Sequence, residues 1–88
     1  MKEIEKKVWP QYFEKLLTGV KNYELRLGNF KPNPGDILVL KEWDPVTEKY
    51  TGRELRKEVT YSATFKLDEL FWPEDEIKKY GLTIVSLK

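Results

Sequence analysis

Two residue types that carry much of enzyme chemistry are missing from this sequence, because its 88 residues include neither cysteine nor histidine. Without cysteine there is no disulfide, no thiolate nucleophile and no cysteine zinc site. Without histidine there is no imidazole base and no usual zinc ligand. Any chemistry must therefore use lysine, acidic, hydroxyl or backbone groups, and we expect no metal and no cofactor.

Long apolar runs are also missing. No stretch approaches the ~18 apolar residues that a transmembrane helix needs, and the first residues, Met1 to Glu5, have no signal-peptide core. We therefore expect a cytoplasmic protein with no membrane partner. The length suffices for one compact core but not for two, so residues 1–88 are predicted to form a single domain.

Neither sign of charge is in excess, since 16 basic and 15 acidic residues give a net charge of +1. This balance excludes a strongly basic protein that coats nucleic acid. Lysine and glutamate supply most of the charge, and there is only one methionine. Such a composition is typical of heat-adapted proteins.

Helical signals occur twice. Apolar residues at helical spacing follow Pro10, and Gly19 is a natural stop, so the pattern predicts a helix over residues 10–18. A second helix is predicted from Pro73 to Lys79, with acidic residues in its first turn, lysines in its last and Gly81 behind it.

Strand-like patterns occupy five other segments, namely residues 4–8, 23–27, 37–43, 53–65 and 82–87. Strands outnumber helices, and the connections are short. This favours a mainly antiparallel sheet that closes or nearly closes. The predicted fold class is therefore α+β, a small β-barrel of about five strands with two short helices.

One charged cluster follows the first helix. Glu24 and Arg26 are two residues apart on a predicted strand, so their side chains lie on one face, and Lys21 precedes them in the turn. A carboxylate flanked by two cations stays ionised and leaves the cations partly free to meet an anion. An ordinary solvent-facing ion pair is the alternative interpretation.

The segment Gly19-x-Lys21-x-x-Glu24-x-Arg26 resembles the signature of the ASCH domain (activating-signal-cointegrator homology), a branch of the PUA-like superfamily. The similarity extends to Pro34-Gly35-Asp36, to Glu42-Trp43-Asp44-Pro45, to Tyr50-Thr51-Gly52-Arg53-Glu54 and to Tyr80-Gly81-Leu82. Their order covers nearly the whole chain and is similar to that of small prokaryotic members.

The resemblance implies a PUA-like β-barrel with an RNA-binding cleft beside the first helix, in a protein linked to translation or RNA metabolism. Such a domain holds RNA or a modified nucleotide through cations on phosphate and through aromatic stacking. The near-neutral charge predicts modest affinity. The candidate nucleic-acid-binding residues are Lys21, Glu24, Arg26, Lys41, Trp43 and Arg53, with Trp43 as the stacking platform.

Two alternatives remain open. Some ASCH relatives are amidohydrolases or ribonucleases, and Lys21 and Glu24 would be the catalytic groups of such an enzyme. The amidohydrolase branch, however, carries a threonine nucleophile where this chain has Glu24, and a carboxylate does not replace that hydroxyl. The second alternative is a protein-interaction module whose tryptophan and tyrosine side chains mark the surface that binds a protein partner. The sequence predicts no particular oligomeric state.

Overall fold

The computed structural model describes residues 2–88. Within them, the strands are β1 (Glu3–Val8), β2 (Ile37–Asp44) and β3 (Lys49–Glu58). The helices are α1 (Pro10–Leu17) and α2 (Glu74–Tyr80), and a 3₁₀ turn covers Leu67–Glu69. The chain is thus a small α+β protein, as the sequence predicts.

The three strands form one mixed sheet in the order β1-β2-β3. β2 runs parallel to β1 and antiparallel to β3. The connection from β1 to β2 contains α1. It is long enough to carry the chain back to the end of the sheet where β1 begins, which two neighbouring parallel strands require. The prediction of a closed, mainly antiparallel barrel is therefore wrong for residues 2–88, because the sheet is open and one of its two strand pairs is parallel.

Helix α1 begins directly after β1 because of the Trp9-Pro10 pair. Trp9 is extended, with ψ at 151°, and Pro10 takes the first helical position, where no amide donor is needed. The carbonyl oxygen of Trp9 accepts hydrogen bonds from the amides of Tyr12 and Phe13, at 3.0 and 2.9 Å. The helix therefore packs back against the sheet immediately after β1 ends.

The core lies between α1 and one face of the sheet. Phe13 and Leu16 of the helix meet Val8 of β1 and Leu40 of β2, and all four are buried. Leu38 and Leu55 pack around this cluster. Because side chains alternate along a strand, Leu38, Leu40 and Glu42 face α1, whereas Lys41 and Trp43 lie on the other face of β2.

Two of the five predicted strands have no regular structure, since residues 23–27 and 82–87 form no ladder. The predicted long strand over residues 53–65 instead begins at Lys49 and ends at Glu58, opposite the first residue of β2. Residues of 21–28 and 57–64 line one cavity, and residues of 20–26 and 84–86 line another, but no ladder hydrogen bonds join these segments.

Buried side chains are confined to the first part of the chain, and none of residues 59–88 is buried. Trp9 and Trp72, each of which precedes a proline beside a helix start, lie outside the core and are 47% and 54% exposed. Neither helix of residues 2–88 is long and apolar enough to cross a membrane.

Candidate functional site

The turn after α1 brings the charged cluster back alongside that helix. Gly19 has a φ of 81°, which is favourable for glycine and costly for other residues. The amide of Lys21 then donates to the carbonyl oxygen of Lys15 at 3.0 Å. The segment that follows therefore runs next to α1 and the free edge of β1.

Lys21, Glu24 and Arg26 converge, and we call them the triad. Nε of Arg26 donates to Oε2 of Glu24 at 2.8 Å, and Nζ of Lys21 lies 3.6 Å from Oε1 of Glu24. The side chains of Lys21, Glu24 and Arg26 are 16%, 13% and 30% exposed. These three predicted site residues do lie together, in a largely covered cluster, although the segment that carries them is not a strand.

Two further contacts hold the triad in place. Nη2 of Arg26 donates to the carbonyl oxygen of Lys7 at 2.6 Å. Nζ of Lys21 lies over the rings of Tyr12 and Tyr23, 5.2 and 5.1 Å from their centres, a distance at which a cation is attracted to the ring face. Arg26 is thus fixed to β1, and Lys21 is placed between two aromatic rings.

One oxygen of the triad has no hydrogen-bond donor. Oε1 of Glu24 is buried and accepts no hydrogen bond from residues 2–88, because Lys21 is beyond hydrogen-bond distance. A buried acceptor without a donor costs free energy. The ion pair with Lys21 compensates part of this cost, and the oxygen keeps a free lone pair that can accept from an amino or hydroxyl group of a ligand.

Two cavities meet at the triad. The first has a volume of about 540 Å³ and is lined by the triad together with Tyr23, Phe30 and Tyr61. The second has a volume of about 820 Å³ and is lined by the triad together with Lys7, Trp9 and Tyr12. Both volumes fall in the range of small-ligand sites, which combine apolar walls with a few polar groups.

Arg53 has a different role from the one predicted. Its Nε and Nη2 donate to the buried carboxylate of Glu42 at 2.9 and 2.8 Å, Nη2 also donates to Glu14 of α1, and Thr51 donates to Glu42 at 2.6 Å. Arg53 and Thr51 hold the pKa of Glu42 down at about 2. Arg53 thus fastens α1 to the sheet and lines neither cavity at the triad.

A bulge in β3 makes this network possible. Lys41 pairs with Glu54 and Trp43 with Tyr50, so residues 51–53 all lie opposite Glu42. Gly52, in the middle of the bulge, has a φ of 96°. The bulge therefore aims both Thr51 and Arg53 at one carboxylate.

Lys41 and Trp43 lie on the sheet face that is turned away from α1. Nζ of Lys41 pairs with Glu5 at 3.0 Å, and that contact raises the pKa of the lysine. Trp43 is half-buried, with Nζ of Lys7 4.7 Å from its ring centre. Neither side chain lines a cavity at the triad. Of the six predicted residues, three therefore form the triad, Arg53 belongs to the network around Glu42, and Lys41 and Trp43 form a separate pair.

Comparison with known proteins gives a family but no activity. The family model described as Domain of unknown function (DUF3850) matches residues 4–71. The chain belongs to this family. No curated protein and no solved structure matches significantly.

Within this DUF3850 chain, all six predicted site residues fall in the part that the family model matches. Ile84, Val85 and Ser86, which line the second cavity, fall outside it. Among residues 2–88, no group of three or more acidic side chains is placed to hold a metal ion.

Four residues that shape the site are not among the residues predicted from the sequence, namely Lys7, Tyr12, Tyr23 and Glu42. Tyr23 lies within the Gly19–Arg26 segment, and this position could have identified it as a site residue. Tyr12 lies on the exposed side of α1. Lys7 and Glu42 depend on the strand register and the bulge, which no local pattern reveals.

Proposed function

We propose that this DUF3850 chain is an ASCH-type, PUA-like RNA-binding domain that holds a nucleotide of single-stranded RNA, or a modified nucleotide, at the triad. Lys21 and Arg26 contact phosphate or a base edge, and Glu24 accepts from an amino group or a 2′-hydroxyl. No cofactor takes part. The proposal rests first on the unsatisfied oxygen of Glu24, which lies between two cations and borders two cavities.

The chemistry of the walls supports a nucleotide over a small inorganic anion. Tyr12 and Tyr23 lie beside Lys21, and such rings provide stacking surfaces for bases. An inorganic anion would use the cations but not the rings or the acceptor oxygen. A nucleotide uses all three, because it combines a phosphate, an aromatic base and hydrogen-bond donors.

Three irregular segments that border the triad belong to the same proposal. Residues 23–27, 59–65 and 82–87 alternate apolar and polar side chains for much of their length, and parts of each line the cavities. We assign them the role of covering the nucleotide bound at the triad. Slower amide hydrogen exchange in these segments when RNA is bound would support the assignment.

Binding of a fluorescently labelled uridine-rich RNA, measured by anisotropy at increasing salt, tests the function. We expect modest, salt-sensitive affinity and about tenfold weaker binding for Lys21→Gln and for Arg26→Gln, because each loses a charge-assisted contact. Lys78→Gln is the matched control, since Lys78 lies on α2 in an exposed pair with Glu74. This control should bind like the wild type.

Other outcomes distinguish the alternatives. If the wild type binds no RNA at low salt, or if all three variants lose affinity equally, the triad is not an RNA site. A hydrolase is the second candidate, because Oε1 of Glu24 accepts no hydrogen bond from residues 2–88 and has a lone pair with which to act as a general base. RNA or acetylcytidine that is degraded by the wild type, but not by Glu24→Gln, would favour it. Protein capture without RNA binding would favour an interaction module.

A further inference from the structure

Trp43 and Tyr50 lie on the sheet face opposite α1, at the end where β2 meets the turn. They are directly paired across β2 and β3. Trp43 is half-buried, and Tyr50 is 54% exposed. Nζ of Lys7 lies 4.7 Å from the ring centre of Trp43 and 5.8 Å from that of Tyr50. We call these three residues the aromatic platform.

Lys7 is a free cation on this platform. No carboxylate of residues 2–88 lies within salt-bridge distance of it, although Lys41 and Arg56 on the same face pair with Glu5 and Glu3. Nζ of Lys41 also lies 5.9 Å from the ring centre of Tyr50, so its ion pair with Glu5 adjoins the platform, and Lys7 is the cation there without a carboxylate partner. Charge complementarity at the platform favours a phosphate-bearing aromatic ligand.

Lys7 also connects the platform to the triad. Its carbonyl oxygen accepts from Arg26, and it lines the second cavity. Its side chain then reaches the opposite face and lies over Trp43. Tyr50 on β3 lies two strands from β1, a width of about two strand spacings, or ~10 Å, along the sheet. An RNA strand that passes around the free edge of β1 can therefore touch both the triad and the platform.

We propose that the aromatic platform is a second contact for the same single-stranded RNA, binding the nucleotides that flank the one at the triad. Lys7 meets the intervening phosphate, and flanking bases stack on Tyr50 and Trp43 in place of the ammonium group. This inference rests on the proposed function, because the triad supplies the first contact. It adds Lys7 and Tyr50 to the RNA-binding surface. It also explains how Trp43 contacts the RNA although it lies on the sheet face that is turned away from α1.

RNA length separates the two contacts in an experiment. A uridine dinucleotide can occupy the triad alone, whereas a uridine oligonucleotide of about eight residues, within the usual site size of single-strand binders, can reach the platform. We expect Tyr50→Ser to weaken binding of the longer RNA at least about fivefold, the smaller end of the measured stacking contribution, and to leave dinucleotide binding unchanged. Tyr50→Phe should retain wild-type affinity.

Lys7→Gln provides a second, independent measurement. It should lower the slope of log affinity against log salt by about 0.7 for the longer RNA, which is the contribution of one phosphate contact on a single strand. Tyr80→Ser is the matched control, because Tyr80 is an exposed tyrosine on α2 with Nζ of Lys79 5.1 Å from its ring centre. This variant should bind both RNAs like the wild type.

Different results would overturn the platform proposal and the triad proposal. If the wild type binds the longer RNA and Arg26→Gln weakens it, but Tyr50→Ser and Lys7→Gln do not, the platform is wrong and the triad stands. If the wild type binds neither RNA, both proposals are overturned. Circular dichroism melting of each variant shows that a loss of binding is not a loss of folding, since Tyr50 and Lys7 are exposed.

Discussion

Glu24 and Glu42 are both acidic side chains beside an arginine, and their surroundings give them different chemistry. The carboxylate of Glu42 accepts three hydrogen bonds, two from Arg53 and one from Thr51. Glu24 accepts one, from Arg26, and its other oxygen is buried without a donor. A saturated carboxylate stabilises the fold, whereas an unsaturated one has capacity left for a ligand.

Acid unfolding should report the Glu42 network. The folded protein holds the pKa of Glu42 at about 2, below its ordinary value of 4.5. Stability from this group is therefore fully present above pH 4.5 and is lost as the pH falls toward about 2. We expect Glu42→Gln to lower the free energy of unfolding at neutral pH by about 1–3 kcal/mol and to flatten its decline in acid.

Thermal melts from neutral pH down to about pH 2 measure this effect. Some acid dependence will remain in Glu42→Gln, because hydrogen bonds from the amides of Asn33 and Lys2 also lower the pKa of Asp36. Glu69→Gln is the control, since Glu69 is exposed and forms no ion pair among residues 2–88. An equal acid dependence in Glu42→Gln and the wild type would contradict the assignment.

The strand β3 joins the sheet to α1 through its bulge. Gly52 allows three residues to lie opposite Glu42, and Arg53 then reaches Glu14 on the helix. The bulge thus allows the β2–β3 hairpin to support α1. Because the turn that carries the triad follows α1, the bulge also supports that turn.

Gly52→Ala should weaken this support. A Cβ at position 52 would meet no atom within 4 Å, so the cost is that of the positive φ rather than of a clash. We expect a loss of about 1 kcal/mol in the free energy of unfolding, measured by urea denaturation. Lys49→Ala, an exposed position on the same strand, is the control. If the two variants are equally stable, the bulge conformation does not depend on glycine.

Local patterns predicted α1, α2 and the central strand β2 well, because helix stops, prolines and an apolar run act within a few residues. The parallel pairing of β1 and the open sheet were not predicted, since both depend on how the chain returns after α1. The strand prediction for residues 23–27 was wrong even though its alternation is regular. Arg26 of this segment donates to the carbonyl oxygen of Lys7, the segment borders the cavities, and its backbone has no ladder partner.

At the scale of the whole molecule, charge is arranged locally rather than in excess. The net charge is only +1, but Lys21, Arg26 and Lys7 lie around one edge of β1. The convergence of the triad could be predicted from spacing in sequence, because its members lie within six residues. The positions of Lys41, Trp43 and Arg53 could not, because strand parity and the bulge send them to different faces.

We propose above all that RNA binds at the triad. Nuclear magnetic resonance spectra of ¹⁵N-labelled protein, recorded while uridine-rich RNA is added, test it most directly. Our account predicts that the largest shifts occur at the amides of residues 21–26 and at the side-chain Nε–H of Arg26, and that high salt reverses them. Shifts concentrated on α2 and the residues after it, with the Arg26 signal unmoved, would contradict it.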